Sequence, residues 1–344
     1  MPKTSVRELA RSLGLSHTTV SEALRNCPRV REATRQRVLE AAQNAGYRYN
    51  PLAGALMSEM RRSRAGAFRG VLAVVDLDSP DVRAAGANNY HREVASGASE
   101  SAVRLGFKLE PFVLGRDHLS VSRLDTILKS RGIRGLLVLP SAKAPDLAGL
   151  DWSHFAGVYT DYIIESPALD SVCSDHFRSM VLAMQRLSSL GYSRPGLMLT
   201  EAHDSRLLFR WEAAFRSYHQ HHDCFEFIEP LIAPELSEAS FRKWFAKAKP
   251  DVVLCHNWRV LEWMEAAGAK VPASHGFCGL NVTMSQRPVS GLNLQPRLIG
   301  SRALELIVAQ LHRNEYGVPA TASTTTIPAA WTEGPTLRAL SAKR

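Results

Sequence analysis

Two short helical patterns joined by a glycine open the chain, and they constrain its fold more than any other feature. Ser5-Val6-Arg7-Glu8 has the S-x-x-E form of a capping box, in which Ser5 and Glu8 satisfy backbone N–H groups at a helix start. Gly14 ends this helix because glycine adopts a positive φ without strain. Helical spacing gives the first helix one apolar face, formed by Val6, Leu9, Ala10 and Leu13.

The second helix is expected over about residues 17–24, with Ser16 as its N-cap. Val20 and Leu24 point inward on this helix. Its other face is polar and carries His17, Thr18, Ser21, Glu22 and Arg25. Two helices around a Gly-containing turn indicate a helix-turn-helix whose second helix fits the DNA major groove.

A third amphipathic helix is expected over about residues 32–45, and together the three helices form a small core. Its inward stripe consists of Thr34, Val38, Ala41, Ala42 and Ala45. The segment that follows, Asn50-Pro51-Leu52-Ala53-Gly54-Ala55-Leu56, begins with a good cap and a proline suited to the first helical position. Because it is short and contains Gly54, we expect it to become helical only on DNA.

Charge is concentrated at the N-terminus. Residues 1–65 contain twelve Lys or Arg and five Asp or Glu, a net charge of +7, so the other 279 residues account for only +2 of the total of +9. Residues 57–69 continue the basic segment as an arginine-rich linker. A basic module on a nearly neutral body is typical of a protein that binds a polyanion such as DNA, although a solvated basic surface gives the same count.

From residue 70 onward, apolar runs of four to six residues alternate with helical patterns. This alternation predicts buried parallel strands in an α/β body with two sheets. The expected strands are 70–75, 135–139, 155–160, 196–199 and 252–255. The expected helices are 93–105, 119–129, 177–190, 208–219 and 258–267.

Several classes of protein are disfavoured by what the sequence lacks. It has no P-loop, G-x-G-x-x-G, H-E-x-x-H or G-x-S-x-G motif, so we predict no catalytic residue, cofactor or metal site. Five scattered cysteines without a C-x-x-C pair are expected to be reduced, and His219, His221 and His222 to be solvated. With no secretory signal, and no stretch near the about 20 apolar residues that span a bilayer, the chain is expected to be soluble and cytoplasmic.

The first 56 residues resemble the headpiece of the lactose-repressor/galactose-repressor (LacI/GalR) family of bacterial regulators. The resemblance rests on an ordered series of short motifs followed by an N-P-x-A-x-x-L hinge: Leu9-Ala10, Gly14-Leu15-Ser16, Thr19-Val20-Ser21, Thr34-Arg35, Arg37-Val38, Gly46-Tyr47 and Asn50-Pro51. The resemblance implies that His17, Thr18 and Glu22 read bases. It also implies that Leu56 wedges into the central base step, or alternatively contacts the partner's hinge helix.

The full set of residues that the resemblance assigns to DNA contacts is Ser5, Ser16, His17, Thr18, Ser21, Glu22, Arg25, Arg29, Asn50, Ala53 and Leu56. Two residues depart from the family pattern. Glu22 stands where arginine is frequent, and a glutamate accepts from cytosine N4 rather than pairing with guanine, unless it simply faces solvent. Arg31 stands where a serine usually caps the third helix, so that cap is expected to be weaker.

The body is similar to the core of the same family, which resembles periplasmic sugar-binding proteins. The implied fold is an all-α helix-turn-helix headpiece plus an α/β periplasmic-binding-protein-like core of two Rossmann-like lobes. The chain is expected to cross between the lobes near Asp161 and Gly291. The expected parts are a headpiece (1–49), a hinge with linker (50–69), a first lobe (70–161 and 291–317), a second lobe (162–290 and 318–332) and a tail (333–344).

The ligand of such a fold lies where the carboxyl ends of the strands meet. By position, the resemblance suggests Tyr90, His91, Asp161, Arg210, Asn257, Trp258 and Gln295 as effector-binding residues. Arg210 fits a surface salt bridge as an alternative, and Trp258 fits core packing. Asn257 and Asn281 replace aspartates that are usual in sugar-binding members, which weakens the case for a plain hexose.

The resulting expectation is a dimeric, ligand-responsive transcription regulator, a repressor, that binds a partly palindromic operator in double-stranded DNA. A small sugar-like effector is expected in the cleft between the lobes, and no membrane contact is expected. The tail lacks a heptad pattern, so the homodimer is the expected assembly. Two alternatives stay open: a body that only dimerises, and a cytoplasmic solute-binding protein.

Overall fold

The computed structural model describes residues 6–24, 27–45, 68–141, 146–161 and 166–338. The N-terminal part contains three helices: α1 (Val6–Leu13), α2 (His17–Leu24) and α3 (Glu32–Asn44). All three confirm the sequence-based prediction. Gly14 has a φ of 64° and ends α1 as expected.

The headpiece has a small apolar core of its own. Its buried side chains are Leu9, Ala10, Val20, Ala23, Val30, Val38 and Ala42. Of the stripe expected on α3, Val38 and Ala42 are buried, whereas Ala45 is exposed at the helix end. Arg31 is the N-cap residue of α3 and makes no side-chain capping bond, in agreement with the expected weak cap.

The core contains two six-stranded sheets, one in each lobe. The first-lobe sheet is parallel throughout, in the order β11-β5-β4-β3-β1-β2. Its strands are β1 (Gly70–Asp76), β2 (Phe107–Val113), β3 (Gly135–Val138), β4 (Ala156–Tyr159), β5 (Asp170–Ser174) and β11 (Thr324–Ile327). Buried residues such as Leu72, Leu137 and Val158 form the centre of this lobe.

The second-lobe sheet has the order β12-β10-β9-β8-β6-β7, and only β12 runs antiparallel to its neighbour. Its strands are β6 (Pro195–Thr200), β7 (Leu231–Ala233), β8 (Val252–Cys255), β9 (Gly276–Gly279), β10 (Ser290–Asn293) and β12 (Ala330–Thr332). The five strands expected from apolar runs are β1, β3, β4, β6 and β8. All five are present.

Helices cover the faces of both sheets, as expected for an α/β fold. Those of the core are α4 (Ala85–Arg104), α5 (Val121–Ser130), α6 (His176–Ser189), α7 (Glu201–Arg206), α8 (Arg210–His221), α9 (Glu238–Ala248), α10 (Arg259–Ala266) and α11 (Pro296–Arg313). All five predicted core helices are present, and α4 begins eight residues earlier than expected, at Ala85 rather than at residue 93.

The lobe boundaries differ from the expected ones. Strand β5 was expected in the second lobe, and so was β11, but both pair within the first sheet. Gly291, expected where the chain re-enters the first lobe, lies in β10 of the second sheet. The chain therefore crosses between β5 and α6, between β10 and α11, and between β11 and β12. The sequences of β5 (DSVCS) and β11 (TTTI) are too polar to be recognised as buried strands.

Residues 333–338 were expected in a tail but pack on the second lobe. The Phe277 N–H donates to the Thr336 carbonyl, and the Thr336 hydroxyl donates to the Phe277 carbonyl at 2.8 Å. Leu337 is buried in the second-lobe core. Backbone pairing and a buried side chain thus extend this lobe to the last described residues.

Helices α4 and α11 cross closely on the first lobe. A Cβ at Gly97 would overlap the Arg297 carbonyl, and a Cβ at Gly300 would overlap the Val94 carbonyl. The absence of side chains at these two positions lets the backbones approach. This contact fixes α11, which follows a crossover, onto the first lobe.

Candidate functional site: the polar face of α2 and the interlobe cleft

Helix α2 presents a polar surface. The Ser16 hydroxyl accepts from the Thr19 N–H at 3.0 Å and lies 2.8 Å from the Thr19 hydroxyl, so the predicted cap is present. Thr18 is exposed, and Ser21 and Glu22 are partly exposed on the same helix. The arrangement supports the expected orientation, with Val20 and Ala23 buried and the polar residues outside.

The remaining predicted DNA contacts are described less fully. His17 begins α2, but its side chain is outside the described part of the structure. Arg29 is exposed in the loop before α3. The other predicted contacts lie outside the described residues: Ser5, Arg25, Asn50, Ala53 and Leu56.

A cavity of about 430 Å³ lies between the lobes. Three predicted effector residues, Tyr90, His91 and Asp161, line it. Its other lining residues are Asp78, Arg83, Ala87, Pro140, Ser141, Thr160, Cys173, Ser174, His176, His203, Arg206, Leu207, His256, Asn281, Met284 and Leu294. The cavity is large enough for a ligand of monosaccharide size.

The first-lobe wall contains a closely paired arginine. Arg83 donates from Nη2 to Asp76 Oδ1 at 2.5 Å and from Nη1 to Asp76 Oδ2 at 3.1 Å, a bidentate pair. Arg83 also donates to the Asp78 carbonyl at 2.7 Å. The ring of His91 lies beside this pair, and its pKa is lowered to about 4, first by burial and then by the Arg83 charge. His91 is therefore neutral at pH 7.

Asp161 and Arg206 connect the two walls. Asp161 follows β4 in the first lobe, whereas Arg206 ends α7 in the second. Arg206 Nη1 donates to Asp161 Oδ2 at 2.5 Å and to the Ser141 carbonyl at 3.4 Å. Burial raises the pKa of the Asp161 carboxyl, and the Arg206 charge opposes that rise.

Three histidines from three separate segments line the second-lobe wall. His176 begins α6, His203 lies in α7, and His256 follows β8. The Nε2 atoms of His203 and His256 are 3.2 Å apart, so one of them donates and the other accepts. The indole of Trp211 packs edge-on against both His176 and His256, at 5.1 and 5.2 Å between ring centroids.

All three rings are neutral at pH 7. Removal from water lowers the pKa of His176 to about 3 and that of His203 to about 4. The same cause lowers the pKa of His256, with further lowering by the neighbouring histidines and Arg206. Neutral imidazoles offer one donor and one acceptor each, so this wall is a polar surface for a ligand.

Four predicted effector residues lie elsewhere. Asn257 Oδ1 accepts from the Arg259 N–H at 3.1 Å, at the start of α10, and Trp258 is the N-cap residue of that helix. Gln295 donates to the Pro328 carbonyl at 2.7 Å and so joins two crossovers. Arg210 begins α8. These four are not among the described residues that line the cavity, where the arginines are Arg83 in the first-lobe wall and Arg206 in the second.

The signal for the missed residues was their position after strands. His176, His203 and His256 lie within three residues of the ends of β5, β6 and β8, where the carboxyl ends of parallel strands gather ligand-binding groups. No spacing motif joins them in the sequence. Asn281, which follows β9, also lines the cavity.

The lobes also touch at the first turns of α4. Asn89 donates from its side chain to the Thr283 carbonyl at 2.6 Å. A Cβ at Gly86 would overlap the Met284 carbonyl. The contacts at Asn89 and Gly86, together with the Arg206–Asp161 pair, hold the two lobes in a closed arrangement around the cavity.

Within the described ranges, no helix is long and apolar enough to cross a membrane. The same residues contain no group of three or more His, Cys, Asp or Glu side chains arranged to hold a metal ion. All five cysteines are unpaired, and three of them, Cys173, Cys255 and Cys278, are buried.

Comparison with known proteins identifies both parts of the chain. The family profile "Bacterial regulatory proteins, lacI family" matches residues 5–50, and the profile "Periplasmic binding protein-like domain" matches residues 184–337. The transcriptional regulator DegA of Bacillus subtilis is 26% identical over 195 residues, 56% of this chain and 53% of DegA. The repressor PurR of Mannheimia succiniciproducens is 21% identical over 321 residues, 89% of this chain and 92% of PurR.

Solved structures share the fold over nearly the whole chain. A complex of the regulator CelR with cellobiose has a TM-score of 0.57 and 18% identity, covering 97% of this chain and 99% of CelR. A lac repressor dimer bound to operator and an anti-inducer has a TM-score of 0.55 and 16% identity, covering 98% of this chain and all of that one. The relatives are transcriptional regulators rather than enzymes. Residues 5–50 of the chain therefore match the LacI family of bacterial regulatory proteins, and they are followed by a two-lobed periplasmic-binding-protein-like core.

Proposed function

We propose that this DNA-binding regulator acts in the cytoplasm as a dimeric repressor on a partly palindromic operator, and that a sugar or sugar derivative controls it from the interlobe cleft. The observation that carries the proposal is the cavity of about 430 Å³, closed by contacts between two lobes, in a chain whose N-terminus is a helix-turn-helix. A sensor and a DNA reader in one chain are the two parts that such a regulator needs.

The DNA half of the proposal is supported by α2 and by charge. Thr18 is exposed on α2 and Glu22 is partly exposed, and the buried Val20 fixes which face points outward. The net charge of +7 over residues 1–65 favours contact with phosphates. A dimer would place two such helices about one helical turn apart, which explains a palindromic site. The lac repressor structure that shares this fold is a dimer on its operator.

The effector half is supported by the lining of the cavity. Tyr90 offers an aromatic face, and Asp78, Asn281 and Ser141 offer polar groups for hydroxyls. CelR, which shares the fold, was solved with cellobiose.

The proposed mechanism is a shift between two arrangements of the lobes. A ligand that bridges both walls stabilises the closed arrangement by its differential affinity for it. Movement of the first lobes of a dimer then favours or disfavours folding of the hinge at residues 50–56. Leu56 in that hinge is our candidate for the wedge in the central base step.

The test combines operator selection with binding measurements. Double-stranded oligonucleotides selected from a random pool should contain inverted repeats, and the full-length protein should bind them with a strong salt dependence. Thermal-shift screening with sugars and polyols should find a stabilising ligand, since ligand at about a hundred times its Kd stabilises by about 2.7 kcal/mol. That ligand should change operator affinity.

Other results would favour the alternatives. Salt-sensitive operator binding that no metabolite changes would leave a core that serves only dimerisation. Ligand binding with no preference for any duplex would make the chain a solute-binding protein and would overturn the proposal. Leu56→Ala should lower operator affinity and preserve ligand binding, and unchanged operator affinity would remove the wedge role.

A further inference from the structure

We propose that the effector carries an oxyanion, either a carboxylate or a phosphate ester, and that its binding adds one proton to the His203–His256 pair. This inference rests on the proposed function, because it concerns the same cleft. It narrows the ligand from sugars in general to acidic sugar derivatives.

The two walls of the cavity differ in charge. The first-lobe wall carries the carboxylates of Asp78 and Asp161, and its one arginine, Arg83, is paired with the Asp76 carboxylate. The second-lobe wall carries Arg206, His176, His203 and His256, and no carboxylate among its described lining residues. A ligand with an acidic group at one end and hydroxyls at the other matches this polarity, with the hydroxyls donating to the first-lobe acids.

Arg206 can hold an oxyanion without leaving Asp161. Both of its hydrogen bonds, to Asp161 and to the Ser141 carbonyl, leave from Nη1. Among the described residues no acceptor is bonded to its Nη2 or Nε. Since guanidinium presents five donors in a fixed fork, the remaining ones are available to a carboxylate or phosphate oxygen.

The His203–His256 pair is arranged to accept one proton. The two Nε2 atoms, 3.2 Å apart, share a single hydrogen in the neutral pair. Protonation of the Nδ1 of the donating ring leaves that hydrogen bond in place and makes it charge-assisted, which strengthens it. The cost is a positive charge in an enclosed site, and an anion in the cleft offsets that cost.

Burial is the main reason why the His203–His256 pair is neutral, and the groups that face the pair add to this effect. His176 on α6 and Arg206 on α7 both lower the pKa of His256, and Arg206 also lowers that of His203. Cys255, next to His256, is a neutral thiol whose pKa burial raises to about 12. From the first lobe, Asp161 faces the same region but is bonded to Arg206. A bound oxyanion adds a negative charge on this side and raises the histidine pKa values.

The sign of the pH dependence follows. The free pair is neutral at pH 7 and the complex holds one more proton, so affinity falls as pH rises. For uptake of one proton the change is at most about tenfold per pH unit.

The experiment is isothermal titration of the full-length protein with matched probes. The neutral probes are glucose and galactose, and the anionic ones are gluconate, glucuronate, galacturonate and glucose 6-phosphate. Glucosamine is the cationic control. At least one anionic probe should bind at least about tenfold more tightly than its neutral parent and more tightly at about pH 6 than at about pH 8. Titrations in PIPES and in Tris should show uptake of about one proton. Comparison of the sugar acids with glucose 6-phosphate shows whether the site prefers a carboxylate or a phosphate ester.

His203→Gln should reduce the proton uptake and flatten the pH dependence of the Kd. His219→Gln is the matched control, since His219 lies on α8 and is absent from the described lining of the cavity. Urea unfolding of each variant checks that its core is folded. If glucose, galactose or glucosamine binds best, or if an anion binds without proton uptake, the inference is overturned and the proposed function stands. Failure of every anionic probe at both pH values also overturns it, and the separate operator assay still decides the proposed function.

Discussion

Arg206 and Asp161 belong to different lobes, yet Nη1 of Arg206 lies 2.5 Å from Oδ2 of Asp161. The carboxylate also accepts from the Ser141 N–H at 3.3 Å. Because Asp161 follows β4 and Arg206 ends α7, a rotation that opens the cleft would separate the pair. The ion pair therefore reports the closed arrangement of the lobes.

A double-mutant cycle tests this pair. Arg206→Gln and Asp161→Asn should each destabilise the protein by about 1–2 kcal/mol, toward the low end for bonds to charged groups because Arg206 is partly exposed. Urea unfolding should show that the double variant loses less free energy of unfolding than the two single variants lose together. Additive losses would show that the two residues do not interact in solution.

Gly86 is expected to control closure. An alanine there would meet the Met284 carbonyl of the other lobe, so Gly86→Ala should hold the cleft open. Small-angle X-ray scattering should give a larger radius of gyration, and affinity for an effector should fall. Ser99→Ala, at an exposed position on the same helix, is the control. A radius equal to that of the unmodified protein would contradict the closed contact.

The stability of the protein is expected to be sensitive to any side chain added at Gly300. Gly300→Ala places a methyl group against the Val94 carbonyl of α4, and backbone cannot move aside cheaply. We expect a loss of about 1–3 kcal/mol, as for overpacking of a core. Thermal unfolding measures this loss. Ser301→Ala, on the same helix, should leave the stability nearly unchanged in that measurement. Equal stability of the two variants would argue against the close crossing of α4 and α11.

Acid should destabilise the ligand-free protein through its enclosed histidines. His91, His176 and His203 have folded-state pKa values of about 4, 3 and 4, against 6.5 in the unfolded chain. The unfolded state therefore binds protons first as pH falls. Each of these histidines should lower the free energy of unfolding by up to about 1.4 kcal/mol for every pH unit of acidification between about pH 6.5 and about pH 4.

Urea titrations at several pH values across this range measure how steeply the free energy of unfolding falls with pH. His203→Gln should make this slope less steep, whereas His222→Gln, at an exposed position, should leave the slope unchanged. An unaltered slope in His203→Gln would mean that His203 is not shielded from water in solution.

Glu22 is expected to affect base preference. It is partly exposed on α2, and a glutamate at a base edge accepts from cytosine N4. Glu22→Ala should relax selection at one position of each half-site by about 1–3 kcal/mol in competition binding. Glu40→Ala, exposed on α3, is the control. Identical preference profiles for Glu22→Ala and the unmodified protein would place Glu22 outside the reading surface.

Much of the fold was predictable where local signals are strong. Gly14 ends α1 and Ser16 caps α2 as the sequence predicts, because capping is a local interaction. Strands β1 and β8 are continuous apolar runs, as expected for strands buried in a parallel sheet. Strand β11 escaped prediction because it lies at a sheet edge with exposed threonines, so burial left no pattern in its sequence.

The cleft was predictable only in part. Tyr90 and His91 were expected there from the family resemblance, and both line it. His203 and Arg206 share one short helix, but their partners His256 and Asp161 come from distant segments. Only the tertiary pairing of strands brings these groups together, and no local periodicity records it.

Because of the last crossover, the C-terminal segment contributes to the sheets of both lobes. Within nine residues the polypeptide supplies an edge strand to each sheet, β11 at 324–327 and β12 at 330–332. A premature stop codon ahead of β11 would thus remove an edge strand from the sheet of each lobe, even though more than nine-tenths of the protein would be synthesised. The product would retain a DNA-reading headpiece on a damaged sensor, and a fusion or tag at this end must leave residues 324–338 intact.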